Sequence, residues 1–498
     1  MLSGPPGADA GDHLEIGAAM SLDAVLSTLK SRERESVGRL MEWLRIPSVS
    51  TDPKHSADCR KAAEWCAQQL RLAGIQAELR ETGTKDKPGH PVVYAHHPGA
   101  PGYKGPHVLF YGHYDVQPPD PLELWESPPF EPVMKPAVPG GPGERVVARG
   151  AVDDKGQVCT FLEAARAWKD SAGGVPVKMT ILIEGEEESG SVNLENFIKA
   201  HKDELAKADV GVISDTGMPA ADWPAITYGM RGLAYCEVIL HAADQDLHSG
   251  MWGGKVPNPI NELCKVLAQL WDADRRVTLP GFYDRVLETT EEERAGWRRL
   301  KLDEAAALKK IGLPPEASIG EKGWSFVERE WARPTCDING IWGGYQGPGA
   351  KTVIGSKAGA KVSFRLVADQ DPMEVGRTFE RWLNERTPPG CRWEFHQHSG
   401  GPPGNVATDS PHLQAAIRAL RKSNPGGKDP VLIKSGGSIP VVGLFKKMLG
   451  LDTVLMGFGL EDDRVHSPNE KFELACFNLG ARAHANLIGE FAAFSSPR

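Results

Sequence analysis

The chain contains 498 residues, of which 40% are hydrophobic and 25% are charged, and this length favours two domains over a single core. The formal net charge of −9 argues against nucleic acid or an anionic membrane as the main partner. No apolar run approaches the ~20 residues of a membrane-spanning helix, and the N-terminus lacks a secretory signal. The eight scattered cysteines, without a CxxC pair, favour reduced thiols and a cytoplasmic location.

Residues 22–215 alternate between helical and strand patterns, and the first 21 residues are predicted to be a loose leader. The predicted elements are helices Leu22–Leu44, Ala57–Leu72 and Lys155–Trp168, and strands His107–Tyr111, Val177–Ile183, Val210–Ile213 and Thr453–Met456. Nearly continuous apolar strands that alternate with helices predict an α/β fold whose mostly parallel sheet is covered on both faces.

A different pattern lies between these strands. It predicts strands Leu233–Ala242, Lys361–Val367 and Trp393–His398 and helices Asn258–Trp271 and Glu374–Glu385. This β-α-β-α-β order indicates a small inserted α+β domain, and the Gly/Pro-rich residues 400–405 indicate a return linker. We therefore predict a catalytic domain formed by residues 1–228 and 403–498, and an inserted domain formed by residues 229–402. The sequence assigns no role to the Glu-, Arg- and Trp-rich residues 279–335.

Potential metal ligands follow each of the four predicted strands of the larger domain. They are His113 and Asp115, then Glu186–Glu188, then Asp215, and finally His466; Asp153 and Asp154 precede a predicted helix. Sites in open α/β sheets form beyond the carboxyl ends of the strands, so these residues can converge. Zn²⁺ binds His nitrogen and carboxylate oxygen, and a pair of metal ions can share one carboxylate. A further carboxylate must carry the proton.

Each of these residues also has a simpler explanation when it is taken alone. His113 is compatible with a structural histidine, Asp153 and Asp154 with a helix N-cap, and Glu186–Glu188 with a solvated acidic turn. Their joint placement at the ends of apolar strands favours a metal site, because surface solubility does not explain it.

At these residues the sequence resembles the M20 family of metallopeptidases, the carnosinase-like and glutamate-carboxypeptidase-like dinuclear zinc enzymes. The resemblance extends from about residue 22 to the C-terminus and implies a zinc-exopeptidase-like fold with an inserted lid and dimerisation domain. The matching stretches are GHYDVQP (112–118), ARGAVDDKG (148–156), EGEEESGS (184–191), SDT (214–216), DLHSGMWGG (246–254), KSGGSIP (434–440) and VHSPNE (465–470).

The resemblance implies a set of metal ligands for two Zn²⁺ ions, although Mn²⁺ or Co²⁺ also suits such ligands. His113 and Asp215 would bind one ion, Glu188 and His466 would bind the other, and Asp153 would bridge them. A cis peptide bond often follows the bridging residue in the family.

Other roles implied by the resemblance concern the reaction and the substrate. Glu187 would be the general base, and Asp115 would orient the ligand His113. In the inserted domain, His248 would stabilise the oxyanion, acting across the interface of a homodimer. The remaining residues would hold the substrate carboxylate; they are Arg365, Gly437 and Ser438.

The implied activity is hydrolysis of the amide bond of dipeptides or small peptide-like substrates. An N-acyl amino acid deacylase of the acetylornithine or succinyl-diaminopimelate type remains an alternative, as does a non-catalytic metal-binding homologue. Ser410 stands where carnosinase-like members have a histidine in an HPH-type stretch, so carnosine itself is not assigned as the substrate.

Overall fold

The computed structural model describes residues 22–137, 141–437 and 439–494. The predicted leader and Ser438 therefore lie outside the described residues. Two compact units are present, and the first contains the described residues of Met1–Tyr228, Val406–Leu432 and Phe445–Arg498. The second contains the described residues of Gly229–Asn405 together with Ile433–Leu444.

Residues 433–444 belong to the second unit, whereas the sequence places them in the catalytic domain. Hydrogen bonds explain this difference. The backbone N–H of Arg231 donates to the Ser435 carbonyl at 3.2 Å. The Arg231 Nε–H donates to the Gly436 carbonyl at 3.1 Å. These bonds join positions far apart in the sequence, where no local pattern indicates the pairing.

The helices are α1 (22–31), α2 (Glu33–Leu44), α3 (Ser56–Leu72), α4 (Lys155–Ala172), α5 (Leu194–Ala200), α6 (Lys202–Leu205), α7 (Ser249–Trp252), α8 (Pro259–Leu267), α9 (Glu291–Arg298), α10 (Glu304–Lys310), α11 (Phe326–Trp331), α12 (Pro372–Asn384), α13 (Pro411–Ser423), α14 (Pro440–Leu449) and α15 (Leu474–Ala492). The single helix predicted at Leu22–Leu44 is wrong at one point, because Arg32 is a turn between α1 and α2.

The strands are β1 (Gln76–Arg80), β2 (Val92–Pro98), β3 (Val108–His113), β4 (Val133–Lys135), β5 (Arg145–Val147), β6 (Lys178–Glu184), β7 (Val210–Ile213), β8 (Ala225–Met230), β9 (Gly232–His241), β10 (Leu247–His248), β11 (Thr335–Gly343), β12 (Val353–Ile354), β13 (Lys357–Leu366), β14 (Arg392–Gly401), β15 (Gly404–Asn405), β16 (Val431–Ser435), β17 (Thr453–Leu455) and β18 (Lys471–Glu473).

The main sheet of the first unit has the order β1-β2-β6-β3-β7-β17-β8. Its centre, β6-β3-β7-β17, is parallel, and β1, β2 and β8 are antiparallel to their neighbours. Every residue of β3 and β7 is buried. Because successive side chains of a strand point to opposite faces, both faces of these strands are covered. The predicted α/β fold with a mixed, mostly parallel sheet is confirmed.

The second unit contains an antiparallel sheet of order β11-β13-β9-β14. Alternate residues of β9 are buried, so one face packs on a core that includes residues of α8 and α12. The sequence missed β11. Cys336 is the one buried residue of β11, so this edge strand lacks the apolar pattern that reveals the others.

Residues 279–335, to which the sequence assigned no role, contain α9, α10 and α11. The buried guanidinium of Arg333 makes two hydrogen bonds to Glu321, at 2.7 and 2.8 Å.

Among the residues that the structure describes, no helix is long and apolar enough to cross a membrane. All eight cysteines lie in the described ranges and are free.

Candidate metal centre

The parallel register of the main sheet brings the predicted ligands to one edge. His113, the last residue of β3, lies opposite Glu184, the last residue of β6. Tyr111 of β3 lies opposite Ile213, the last residue of β7. The loops that follow these strands therefore begin side by side, as expected at the carboxyl ends of parallel strands.

Two groups of potential ligands share one carboxylate. The first group is His113, Asp153 and Asp215, the second is Asp153, Glu188 and His466, and the donor atoms of each lie within 4.8 Å of one another. Asp153 Oδ1 is 3.2 Å from His113 Nε2. Asp153 Oδ2 is 3.0 Å from His466 Nε2, which is 3.2 Å from Glu188 Oε2. The two oxygens of Asp153 therefore face different groups.

The orientation of His113 fits a metal ligand. Its ring is fully buried, and Nδ1 lies 3.0 Å from the Asp115 carbonyl, which can only accept a hydrogen bond. Nδ1 therefore carries a proton, which leaves Nε2, facing Asp153 and Asp215, as the ring nitrogen that can bind a metal once it is deprotonated. Nε2 is buried and has no hydrogen-bond partner among the described residues. A metal ion would satisfy this nitrogen.

The electrostatics of the two groups also fit a cation. Burial, then repulsion from Asp154 and Asp153, raises the pKa of Asp215 well above its usual value. Hydrogen bonds to Asp153 and Glu188 raise the pKa of His466 to about 10. The excess of carboxylate charge thus attracts protons, and a divalent cation can take their place. The peptide bond between Asp153 and Asp154 is cis, as the resemblance implies.

The carboxylate of Asp115, whose Oδ1 lies 3.4 Å from His113 Nδ1, connects His113 with the loop that contains Glu187 and Glu188. It is fully buried and accepts hydrogen bonds from the backbone N–H groups of Glu187 and Glu188, at 3.3 and 3.1 Å. The Ser50 hydroxyl donates to the same carboxylate at 2.6 Å. Asp115 therefore positions two segments at once.

The three consecutive glutamates have different surroundings. Glu186 accepts hydrogen bonds from the His90 backbone N–H at 3.0 Å and from the Asn193 side chain, so it holds the loop. Glu188 belongs to the second ligand group. Glu187 belongs to neither group, and burial raises its pKa to about 7, opposed by the charge of His113 and reinforced by the nearby carboxylates. Because all three residues are glutamates, the residue type alone does not show which of them is a potential metal ligand.

His466 lies in a loop with unusual backbone geometry. Its φ is 60°, and Arg464 and Asn469 also have positive φ, in the left-handed region that non-glycine residues rarely adopt. The Asn469 side chain secures the loop, because it accepts a hydrogen bond from the Glu126 N–H and donates one to the Leu124 carbonyl, both at 2.8 Å. Such strain is typical of functional positions.

Gln117 is a contributor to the site that sequence reasoning missed. Its Nε2 donates at 2.8 Å to Glu188 Oε2, the same oxygen that lies 3.2 Å from His466 Nε2. The signal was available, because Gln117 belongs to the stretch GHYDVQP that carries the resemblance. Its contact, however, joins positions 71 residues apart and is visible only in the folded chain.

The predicted substrate residues that the structure describes, Arg365, His248 and Gly437, lie in the second unit. Arg365 is on β13, between Leu233 of β9 and Thr335 of β11. Exposed His248 accepts a hydrogen bond at Nδ1 from the Gly250 N–H, at 3.0 Å. Its neutral ring therefore carries the proton on Nε2, available for donation. Gly437 N–H donates to the Ser435 hydroxyl at 3.2 Å.

Ser410, the position that departs from the carnosinase-like pattern, is the N-cap residue of α13. The neighbouring His412 stacks on Phe494, with ring centroids 5.5 Å apart, and contacts Phe491 edge-on. This histidine is thus engaged in aromatic packing.

Comparison with known proteins identifies the family. The model of peptidase family M20/M25/M40 matches residues 109–490, a span that contains every residue of both ligand groups. The chain belongs to this family. It is a metallopeptidase, and the two ligand groups that share Asp153 form its candidate metal site.

Three relatives illustrate the similarity of this M20-family chain to known proteins. The Cys-Gly metallodipeptidase dug1 of Schizosaccharomyces pombe is 30% identical, over 96% of this chain and 99% of that protein. The human Beta-Ala-His dipeptidase is 31% identical, over 95% of this chain and 93% of that protein. The structure of the metallo-carboxypeptidase Sso-CP2 from Sulfolobus solfataricus has a TM-score of 0.79 at 32% identity, covering 92% of this chain and all (100%) of that chain.

We expect Zn²⁺ to raise the melting temperature of EDTA-treated protein, measured by differential scanning fluorimetry. An ion that binds only the folded chain stabilises it by about 4 kcal/mol when its free concentration is 1,000 times Kd. Asp153→Asn should lose most of this Zn²⁺-dependent shift, because it removes the shared carboxylate. Asp170→Asn, which alters an ion pair with Arg32 on the surface, is the control and should retain the shift. An unchanged shift in Asp153→Asn would contradict the assignment.

Proposed function

We propose that this M20-family metallopeptidase hydrolyses the peptide bond of dipeptides with two Zn²⁺ ions bound in the metal centre. The observation that carries the proposal is the single carboxylate, Asp153, whose two oxygens face two separate ligand groups. The names of the relatives support the substrate class, since they describe dipeptidases for Cys-Gly and Beta-Ala-His.

Five residues would hold the ions. His113 and Asp215 would bind one ion, Glu188 and His466 would bind the other, and Asp153, which belongs to both groups, would be shared. Bound divalent ions supply Lewis-acid polarisation of the scissile carbonyl and make hydroxide accessible near neutral pH. Mn²⁺ and Co²⁺ also suit these nitrogen and oxygen donors.

Glu187 is the proposed general base. Its carboxylate lies in neither ligand group, yet the charges of His113, Glu188 and Asp153 act on it, so Glu187 is close to both groups and free to hold a proton. Burial raises its pKa to about 7, and the attraction of bound cations lowers that value again. Glu187 is then ionised at neutral pH, takes a proton from the nucleophile and delivers it to the leaving nitrogen.

The second unit supplies the proposed substrate contacts. His248 can donate from Nε2 to the developing oxyanion, because its Nδ1 is occupied by the Gly250 N–H. Arg365, Gly437 and Ser438 are proposed to hold the substrate carboxylate through a guanidinium, a backbone N–H and a hydroxyl. The Gly437 N–H, which donates to the Ser435 hydroxyl in the structure, would exchange that partner for the substrate. We further propose a homodimer, assembled through the second unit, in which His248 serves the partner's metal centre. The eight free cysteines suit a reducing compartment such as the cytoplasm.

Replacement of Glu187 by glutamine should lower kcat by ~10²–10⁴-fold, the usual contribution of a positioned acid–base group. Metal content should stay near two ions per chain, because Glu187 is not a proposed ligand; inductively coupled plasma mass spectrometry measures it. Glu195→Gln, an exposed glutamate paired with Lys199 on α5, is the matched control and should be as active as the wild type. Wild-type turnover in Glu187→Gln would refute the role.

A substrate panel should separate a dipeptidase from an N-acyl amino acid deacylase. We expect kcat/KM for the preferred dipeptide to exceed that for N-acetyl and N-succinyl amino acids by at least about tenfold, which equals ~1.4 kcal/mol of transition-state free energy. Zn²⁺, Mn²⁺ and Co²⁺ enzymes should be assayed in parallel. Preference for the N-acyl substrates with all three metals would favour the deacylase.

Mixing two inactive variants tests whether His248 acts across the dimer. Glu187→Ala and His248→Ala should each be inactive alone. Unfolding and refolding them together should restore about one quarter of wild-type activity, because half of the random dimers are heterodimers and each contains one complete site. The absence of recovery, with heterodimers shown by tagged co-purification, would mean that His248 acts within its own chain or not at all.

A further inference from the structure

The fully buried carboxylate of Glu470 accepts four hydrogen bonds from one short segment. Oε2 accepts from Arg149 Nη1 at 2.8 Å and from the Gly150 N–H at 2.9 Å. Oε1 accepts from the N–H groups of Val152 and Asp153, at 2.9 and 3.1 Å. The segment 149–153 is thus wrapped around a single side chain whose exposure is 0%.

The Glu470 side chain connects the segment that ends at Asp153 with the segment that carries His466. Glu470 is four residues after His466 and immediately before β18, which pairs with β5. Segment 149–153 begins shortly after β5 and ends at Asp153. The Glu470 carbonyl also accepts a hydrogen bond from the Ala148 N–H at 3.1 Å. The antiparallel pairing of β5 with β18 therefore extends by one residue pair, Ala148 and Glu470, toward the segment that ends at Asp153.

We propose that Glu470 is a positioning residue that sets the orientation of Asp153 between the two ligand groups. Asp153 must present Oδ1 toward His113 and Oδ2 toward His466, at 3.2 and 3.0 Å. The bond from the Asp153 N–H to Glu470 fixes the backbone from which that carboxylate projects, and the Val152 N–H bond fixes the preceding peptide. This inference rests on the proposed metal centre.

The chemistry of the contact requires a carboxylate. All four partners are donors, so each oxygen of Glu470 must accept two hydrogen bonds. A glutamine at this position would turn an NH₂ group toward two donors and leave them unpaired. Arg149, itself buried, balances the charge of Glu470, so this carboxylate does not compete with Asp153 for a cation.

Glu470→Gln and a matched control test the proposal. The control is Glu163→Gln in α4, where a buried carboxylate likewise pairs with an arginine, Arg39, and accepts from Ser36. Neither partner belongs to the metal centre. Zinc affinity is measured by competition with a chromogenic chelator, the Co²⁺ enzyme is examined by visible absorption, and folding is followed by circular dichroism.

We expect Glu470→Gln to bind at least one Zn²⁺ ion ~10–100-fold more weakly than the wild type, as is usual when a residue that orients a ligand is changed. Its Co²⁺ spectrum should also change. Glu163→Gln should keep the wild-type affinity and spectrum even if its melting temperature falls equally. Wild-type affinity and spectrum in Glu470→Gln would overturn the proposal, as would an equal loss of affinity in Glu163→Gln.

Glu470→Asp covers the case in which Glu470→Gln does not fold. It keeps the charge that pairs with Arg149 but shortens the side chain by one methylene, so fewer donors are reached. We expect a smaller loss of zinc affinity, and wild-type affinity in this variant would overturn the proposal. A wild-type protein that binds no metal would refute the proposed function as well, whereas loss of the effect in the variants alone refutes only the role of Glu470.

Discussion

Mutual repulsion among partly buried carboxylates is the constraint on which the candidate metal centre depends. Asp153, Glu188 and Asp215 converge with His113 and His466, and two imidazoles supply too little positive charge for ionised carboxylates at this spacing. Burial intensifies the repulsion, as the raised pKa of Asp215 shows. A divalent cation relieves it, which explains why a folded protein retains so costly a cluster at the end of its sheet.

The surrounding structure keeps this cluster assembled against its own repulsion. Asp115 holds the backbone of Glu187 and Glu188, and Gln117 holds the carboxylate of Glu188. Glu470 does the same for the segment that ends at Asp153. Each of these contacts joins a loop at one strand end to another loop, so the ligands are oriented by the fold and need little rearrangement when a metal binds.

Short-range patterns of apolar residues in the sequence predict much of the architecture. The apolar run Val210–Ile213 was predicted with the bounds that the structure has, because a strand buried on both faces needs such a run. The edge strand β11 was missed, since an exposed edge needs no such pattern. The inclusion of residues 433–444 in the second unit also escaped prediction, because it depends on hydrogen bonds from Arg231 across some 200 positions.

Residue types and their order along the chain were sufficient to indicate an α/β metallopeptidase, to mark His113, Asp153, Glu188, Asp215 and His466, and to link them to one family. The contacts by which Glu186 holds its loop, and the supporting contacts of Gln117 and Glu470, were decided only by the tertiary structure. The physical reason is that type and spacing specify which atoms can bind a metal, whereas burial and hydrogen bonding between distant segments specify which of them face it.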